Sequence, residues 1–183
     1  MTSDPSFKQS NNGRPLASNV KDRIIRMHKA ATDRLHDADI LCASFDARSD
    51  SQSLLRVLAF EVLLKAALLS SGNGTARGHK YKELWAQLPS AVRRKILAVA
   101  EEGHPGQTDF SNVENLLVWY QYIFEKVRYD YEIYDGYTPQ ELEDLGRYWE
   151  ELSAPINEAV IQYHPVELRC LIEGLLAYVE ELI

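Results

Sequence analysis

A chain of 183 residues with 45% hydrophobic and 10% aromatic side chains is long and apolar enough to bury a core of its own as one domain. Its formal net charge of −7 argues against wholesale wrapping of nucleic acid. The acid is unevenly spread: residues 138–183 hold ten acidic and two basic side chains, so residues 1–137 are close to neutral and have room for a local basic surface.

Residues 1–16 lack the apolar core of a signal peptide and are rich in Ser, Asn, Pro and Gly. They predict a disordered tail ahead of a single helical domain over 17–183, in a cytoplasmic protein. From there helical signals dominate, with no strand-like alternation to compete. A first helix is expected from near Ser18 to Phe45, with Ile24, Met27, Ala31, Leu35, Ala38 and Leu41 or Cys42 on one stripe. Ser49 or Asp50 offers a cap for a second helix through Ser70, apolar nearly all round and therefore central. Its run "LLRVLAFEVLLKAALL", Leu54–Leu69, is short for a bilayer and carries Arg56, Glu61 and Lys65, which favours a core helix over a membrane span.

A glycine-rich break, "GNGTARG", precedes a short helix opened by His79 and another running from Pro89 to about Glu102. Ser111 and Glu114 have capping-box spacing and start a long helix to about Ile133. In it Val113, Leu117, Tyr120, Phe124, Val127 and Tyr131 form a bundle seam. Thr138 and Glu141, with Pro139 at the first helical position, cap a helix to about Ser153, and Pro155 interrupts the chain. A last helix from Pro165 carries Leu168, Leu171, Leu175 and Val179. Cys42 and Cys170 sit in apolar patterns and read as buried free thiols in a reducing compartment. The expected fold is all-α, an antiparallel up-and-down helical bundle with additional C-terminal helices.

Three groups of polar residues exceed what such a bundle needs. Glu61 and Lys65 lie one turn apart on the most apolar helix, where burying an ion costs several kcal/mol unless it is paired. They form either a simple i,i+4 ion pair or part of a functional site. Arg128 stands in "VRYDYEIYDGY", with Glu125 and Glu132 in reach along the helix and Tyr129, Tyr131 and Tyr134 nearby. It is either a satisfied structural arginine or a binding residue, with Val127 and Tyr131 anchoring its segment to the core. Glu61, Lys65, His79, Arg128 and Glu132 would make sense as one hydrogen-bonded cluster, in which carboxylates hold the cations. Arg77, Lys80, Lys82, Arg93, Arg94 and Lys95 make residues 75–97 the most cationic segment, interleaved with Tyr81 and Trp85. Such a patch either holds a phosphate backbone by charge and stacking or is a solvated helix face.

No Walker A loop, dinucleotide fingerprint, zinc-ligand spacing or nucleophile elbow is present. Neither a metal nor a cofactor is expected.

The segments "AFEVLLKAALLSSG", "RGHKYKELWAQLP" and "FEKVRYDYE", in this order across residues 50–135, resemble HEPN-domain proteins. These are helical bundles widespread in prokaryotic defence and toxin–antitoxin systems. Many are metal-independent endoribonucleases in which a homodimer joins two Arg-x4-6-His motifs across a cleft. The resemblance assigns the motif arginine to Arg128, but the histidine window holds Ile133, Tyr134 and Asp135. Tyr134 is a poor proton-transfer group at neutral pH, and His79 substitutes only if its loop reaches the Arg128 segment. The resemblance therefore implies a non-catalytic RNA-, nucleotide- or protein-binding module of a stress or phage-defence system, without a membrane role. The alternatives are a divergent ribonuclease toxin using Arg128 with His79 or Tyr134, and a structural partner subunit whose acidic C-terminal region contacts a basic protein.

Overall fold

The computed structural model describes residues 16–44, 50–72 and 76–183. The side chains of residues 16–18 and 130 are outside that description. Residues 1–15 of the expected tail, the cap at Ser49 and the residues around Asn73 also lie outside it, while Leu16, the last residue expected in the tail, is already helical. Every regular element among the described residues is helical: α1 (Leu16–Ser44), α2 (Asp50–Ser70), α3 (Tyr81–Gln87), α4 (Ser90–Gly103), α5 (Val113–Lys126), α6 (Asp130–Ile133), α7 (Pro139–Glu151) and α8 (Pro165–Glu180). Short 3₁₀ turns occupy Val127–Tyr129 and Ile156–Glu158. Among the described residues no helix is long and apolar enough to cross a membrane.

α2 sits at the centre because it has no polar face to offer water. Val57, Phe60, Leu63, Leu64, Ala67 and Leu68 are all buried against α1, α8, α5 and α3. α1 folds back along it, and Arg56 near the start of α2 meets Asp39 near the end of α1 at 2.7 Å, which fixes the pair as antiparallel. Phe60 makes edge contacts with Tyr81 and Tyr120, at 5.7 and 5.9 Å between ring centroids. Tyr120 in turn donates its hydroxyl to the His164 carbonyl, 2.9 Å away, tying α5 to the start of α8.

α8 is a full member of the core, with Leu168, Leu171, Leu175 and Val179 buried as their spacing predicts. α4 runs antiparallel to it. Lys95 pairs with Glu181 at one end, and Gly103 faces Cys170 and Glu173 at the other. Midway the two backbones nearly touch, so that a Cβ on Gly174 would lie 2.3 Å from the Ile96 carbonyl oxygen. Only glycine permits that approach.

Four local expectations are corrected. Cys42 is exposed on the outer side of α1, whereas Cys170 is buried. Asn112, rather than Ser111, caps α5 by accepting from the Asn115 N–H at 3.1 Å, while the Ser111 N–H donates to Asp109. His79 precedes α3, which starts at Tyr81. The long helix expected to reach Ile133 stops at Lys126 and turns through Val127–Tyr129, so Tyr131 leaves the seam and is 64% exposed. The Thr138–Glu141 capping box forms as its spacing predicts, with Pro139 at the first position of α7.

Candidate functional site

Glu61 is the one charged residue buried among the described residues, with 3% of its surface exposed. Its position follows from helix geometry: α2 turns this side chain inward toward the start of α3. Three donors converge on the carboxylate there. Lys65 Nζ lies 2.6 Å from Oε1, Tyr81 Oη lies 2.9 Å from Oε2, and His79 Nδ1 lies 2.9 and 3.0 Å from the two oxygens. Burial by itself raises the carboxyl pKa, but the hydrogen bonds from Lys65, His79 and Tyr81 outweigh it and hold Glu61 below the usual range. An ionised carboxylate only accepts, so Nδ1 of His79 carries the proton and Nε2 is left as the second, outward ring nitrogen. Burial and the Glu61 charge push the Tyr81 phenol far above its ordinary pKa, so it is a fixed donor at any working pH.

The imidazole has a second support. It stacks on Phe124 of α5, at 5.1 Å between centroids and 23° between planes, while 55% of the His79 side chain stays exposed. The same Phe124 ring carries the Arg128 guanidinium, whose Cζ is 5.1 Å from the ring centroid and 5.3 Å from that of Tyr129. Arg128 follows Phe124 by four residues, so the guanidinium lies over the ring one turn back. Among the described residues no carboxylate forms an ion pair with Arg128. An open cleft of about 330 Å³ borders it, lined by Leu54, Leu55, Leu58 and Phe124.

The cluster expected from the sequence is thus only partly assembled. Glu61, Lys65 and His79 are hydrogen-bonded together. Arg128 joins them through Phe124 and not through a carboxylate. Glu132 is exposed and outside the cluster, because the helix break turns it away. Tyr129 and Tyr131 are exposed and meet edge to face at 6.3 Å. Tyr134 lines pockets toward α7 and Ile161 that do not include Arg128. Phe124 and Tyr81, which the sequence offered only as a seam residue and a patch aromatic, are the pieces that organise the site. The available signals were an aromatic one turn before Arg128 and a tyrosine two residues after His79.

The basic segment looks less available than its composition suggests. Lys80 pairs with Glu83, Lys82 with Glu114 of α5, and Lys95 with Glu181 of α8. Arg77 and Arg94 are exposed and Arg93 half-buried. Tyr81 and Trp85 are both in the core, so neither is presented for base stacking. Among the described residues no group of three or more His, Cys, Asp or Glu side chains could hold a metal ion. No protein-family model, curated protein or solved structure matches the chain.

Proposed function

We propose that the chain is a HEPN-like helical module that recognises RNA through Arg128 and His79, as a component of a prokaryotic stress or phage-defence system. The observation that carries this reading is the sharing of one ring. An exposed imidazole held by a buried carboxylate and a guanidinium without a described acidic partner rest on Phe124, beside an open cleft. Arg128 supplies planar, permanently charged donors suited to a phosphate, and the supported imidazole offers a second contact. Glu61 and Lys65 hold the imidazole in place and are not themselves ligand contacts.

A second reading is metal-independent cleavage of the bound RNA. It is favoured by the Glu61 to Nδ1 bond, which fixes the ring and leaves its other nitrogen, Nε2, outside that bond. Cleavage takes one proton from the 2′-hydroxyl and returns one to the leaving oxygen, and each chain supplies a single imidazole at this site. On this reading a homodimer that joins two sites would supply a second imidazole for the return step.

Labelled single-stranded and structured RNAs, incubated without added metal with wild type, Arg128→Ala and His79→Ala, test both readings together. Binding without cleavage, weakened about tenfold or more by Arg128→Ala, is the expected result. Cleavage abolished by His79→Ala would move the assignment to the ribonuclease. Wild type that neither binds nor cleaves RNA sinks both.

A further inference from the structure

α7 is a 13-residue helix without one buried residue. Leu142, Leu145, Trp149 and Leu152 nevertheless recur at 3, 4 and 3 residues, the spacing of a helix face made to be covered. Leu145 and Leu152 are 40% and 44% exposed. Leu142, Leu145 and Trp149, with Val160 and Ile161, bound an open, mostly apolar groove of about 380 Å³. The bonds that shape α7 are local. Thr138 and Glu141 cap its start, and the Trp149 indole N–H donates to the Pro155 carbonyl at 3.2 Å, bringing the following segment back to form the opposite wall.

Charge selects the occupant. Glu141, Glu143, Asp144, Glu150 and Glu151 lie on α7, and Glu158 lines the groove. The one cation on the helix, Arg147, is bonded to Asp144. An anionic lipid surface or a nucleic-acid backbone would be repelled here. Two copies docked face to face through α7 would oppose like charges, because an isologous contact sets the same patch against itself. We propose that this groove docks a basic amphipathic helix of a partner protein, its apolar stripe against Leu142, Leu145 and Trp149 and its Lys and Arg side chains toward Glu158 and Glu141, drawn in by the net negative charge that the other acids give α7. α7 spans about 20 Å, matching a partner segment of about 13 residues. This docking surface does not depend on the His79 and Arg128 reading.

The test uses the full chain and two synthetic amphipathic peptides of about 14 residues, a length matched to the helix rise. Both carry leucines at i, i+3, i+4 and i+7 spacing, one with Lys and Arg elsewhere and one with Glu. Fluorescence anisotropy is read at near-physiological salt. The expected result is binding of the basic peptide and at least tenfold weaker binding of the acidic one. Leu145→Asp and, across the groove, Val160→Asp should each weaken the basic peptide at least tenfold. These substitutions add negative charge, so attraction by charge alone would tighten binding and only docking in the groove predicts its loss. Both positions are exposed, and circular dichroism verifies that the variants remain folded. The proposal is overturned by failure of the basic peptide to bind, by equal binding of the two peptides, or by unchanged or tighter binding to both variants. A dimer in sedimentation that Leu145→Asp dissociates would assign the groove to a second copy instead. A large gain in peptide affinity on removing residues 1–15 would assign it to the chain's own N-terminal segment.

Discussion

His79 Nδ1 lies within 3.0 Å of both carboxylate oxygens of Glu61, on a helix that is otherwise the most apolar in the chain. The carboxylate is the hub of the site, since Lys65 and Tyr81 also depend on it. Glu61→Gln preserves the shape but removes the charge, leaving Lys65 beside a neutral amide. A loss of about 2–3 kcal/mol is expected, below the figure for a fully enclosed pair because Lys65 reaches solvent. Urea titration at neutral pH measures it, and a change under 0.5 kcal/mol would show that the cluster is not holding α2 to α3.

The same carboxylate gives acid sensitivity of known sign. The folded-state pKa of Glu61 is lowered, so between it and the unfolded value of about 4.3 the unfolded chain binds more protons. The contribution is present above the ordinary glutamate range and is lost as the pH falls through the folded value. Thermal melts of wild type and Glu61→Gln should therefore differ most near neutrality and converge in acid. A gap in Tm that stays constant from neutral pH down through the carboxylate range would contradict the assignment.

Arg128 lies on the surface of the Phe124 ring, outside the core. Arg128→Ala should change stability by no more than about 0.5 kcal/mol while weakening RNA, and Arg128→Lys should recover only part of the affinity because an ammonium lacks the planar fork. Phe124→Ala removes the shared support and should lower affinity with both charged groups still present. Melting curves run beside the binding titrations separate these effects from misfolding.

Gly174 marks a close backbone approach between α4 and α8. A Cβ there would meet a backbone oxygen, which cannot rotate away as a side chain can. Gly174→Ala should cost about 1–3 kcal/mol or more by forcing the helices apart, whereas Gly146→Ala on open α7 should be neutral or slightly stabilising. Equal melting temperatures for the two variants would argue against the close approach.

Thr138→Ala removes the cap of a helix that is not buried. The expected loss of about 1 kcal/mol falls on α7 alone. Amide exchange should accelerate within residues 139–151 while the global Tm is unchanged.

By itself the sequence determined the elements. The uniform apolarity of α2, the period of Leu168, Leu171, Leu175 and Val179, and the Thr138 capping box are local patterns, and each forms as its spacing requires. Helix periodicity and capping are set by residues within a turn or two, so one chain read in order is enough. The pairing of Glu61 with Lys65 was legible for the same reason. The tertiary structure decided the rest. Eighteen residues separate Glu61 from His79, and 45 separate His79 from Phe124, and no local pattern states where a glycine-rich loop returns. The break at Val127–Tyr129 was also hidden, because Tyr131 continues the seam's spacing while the folded chain turns away and exposes that ring. Likewise, amphipathicity read from α7 predicts a buried face, and only the packing of the other helices shows that this face is left open. Burial is a property of what lies opposite a residue, which one-dimensional spacing does not contain.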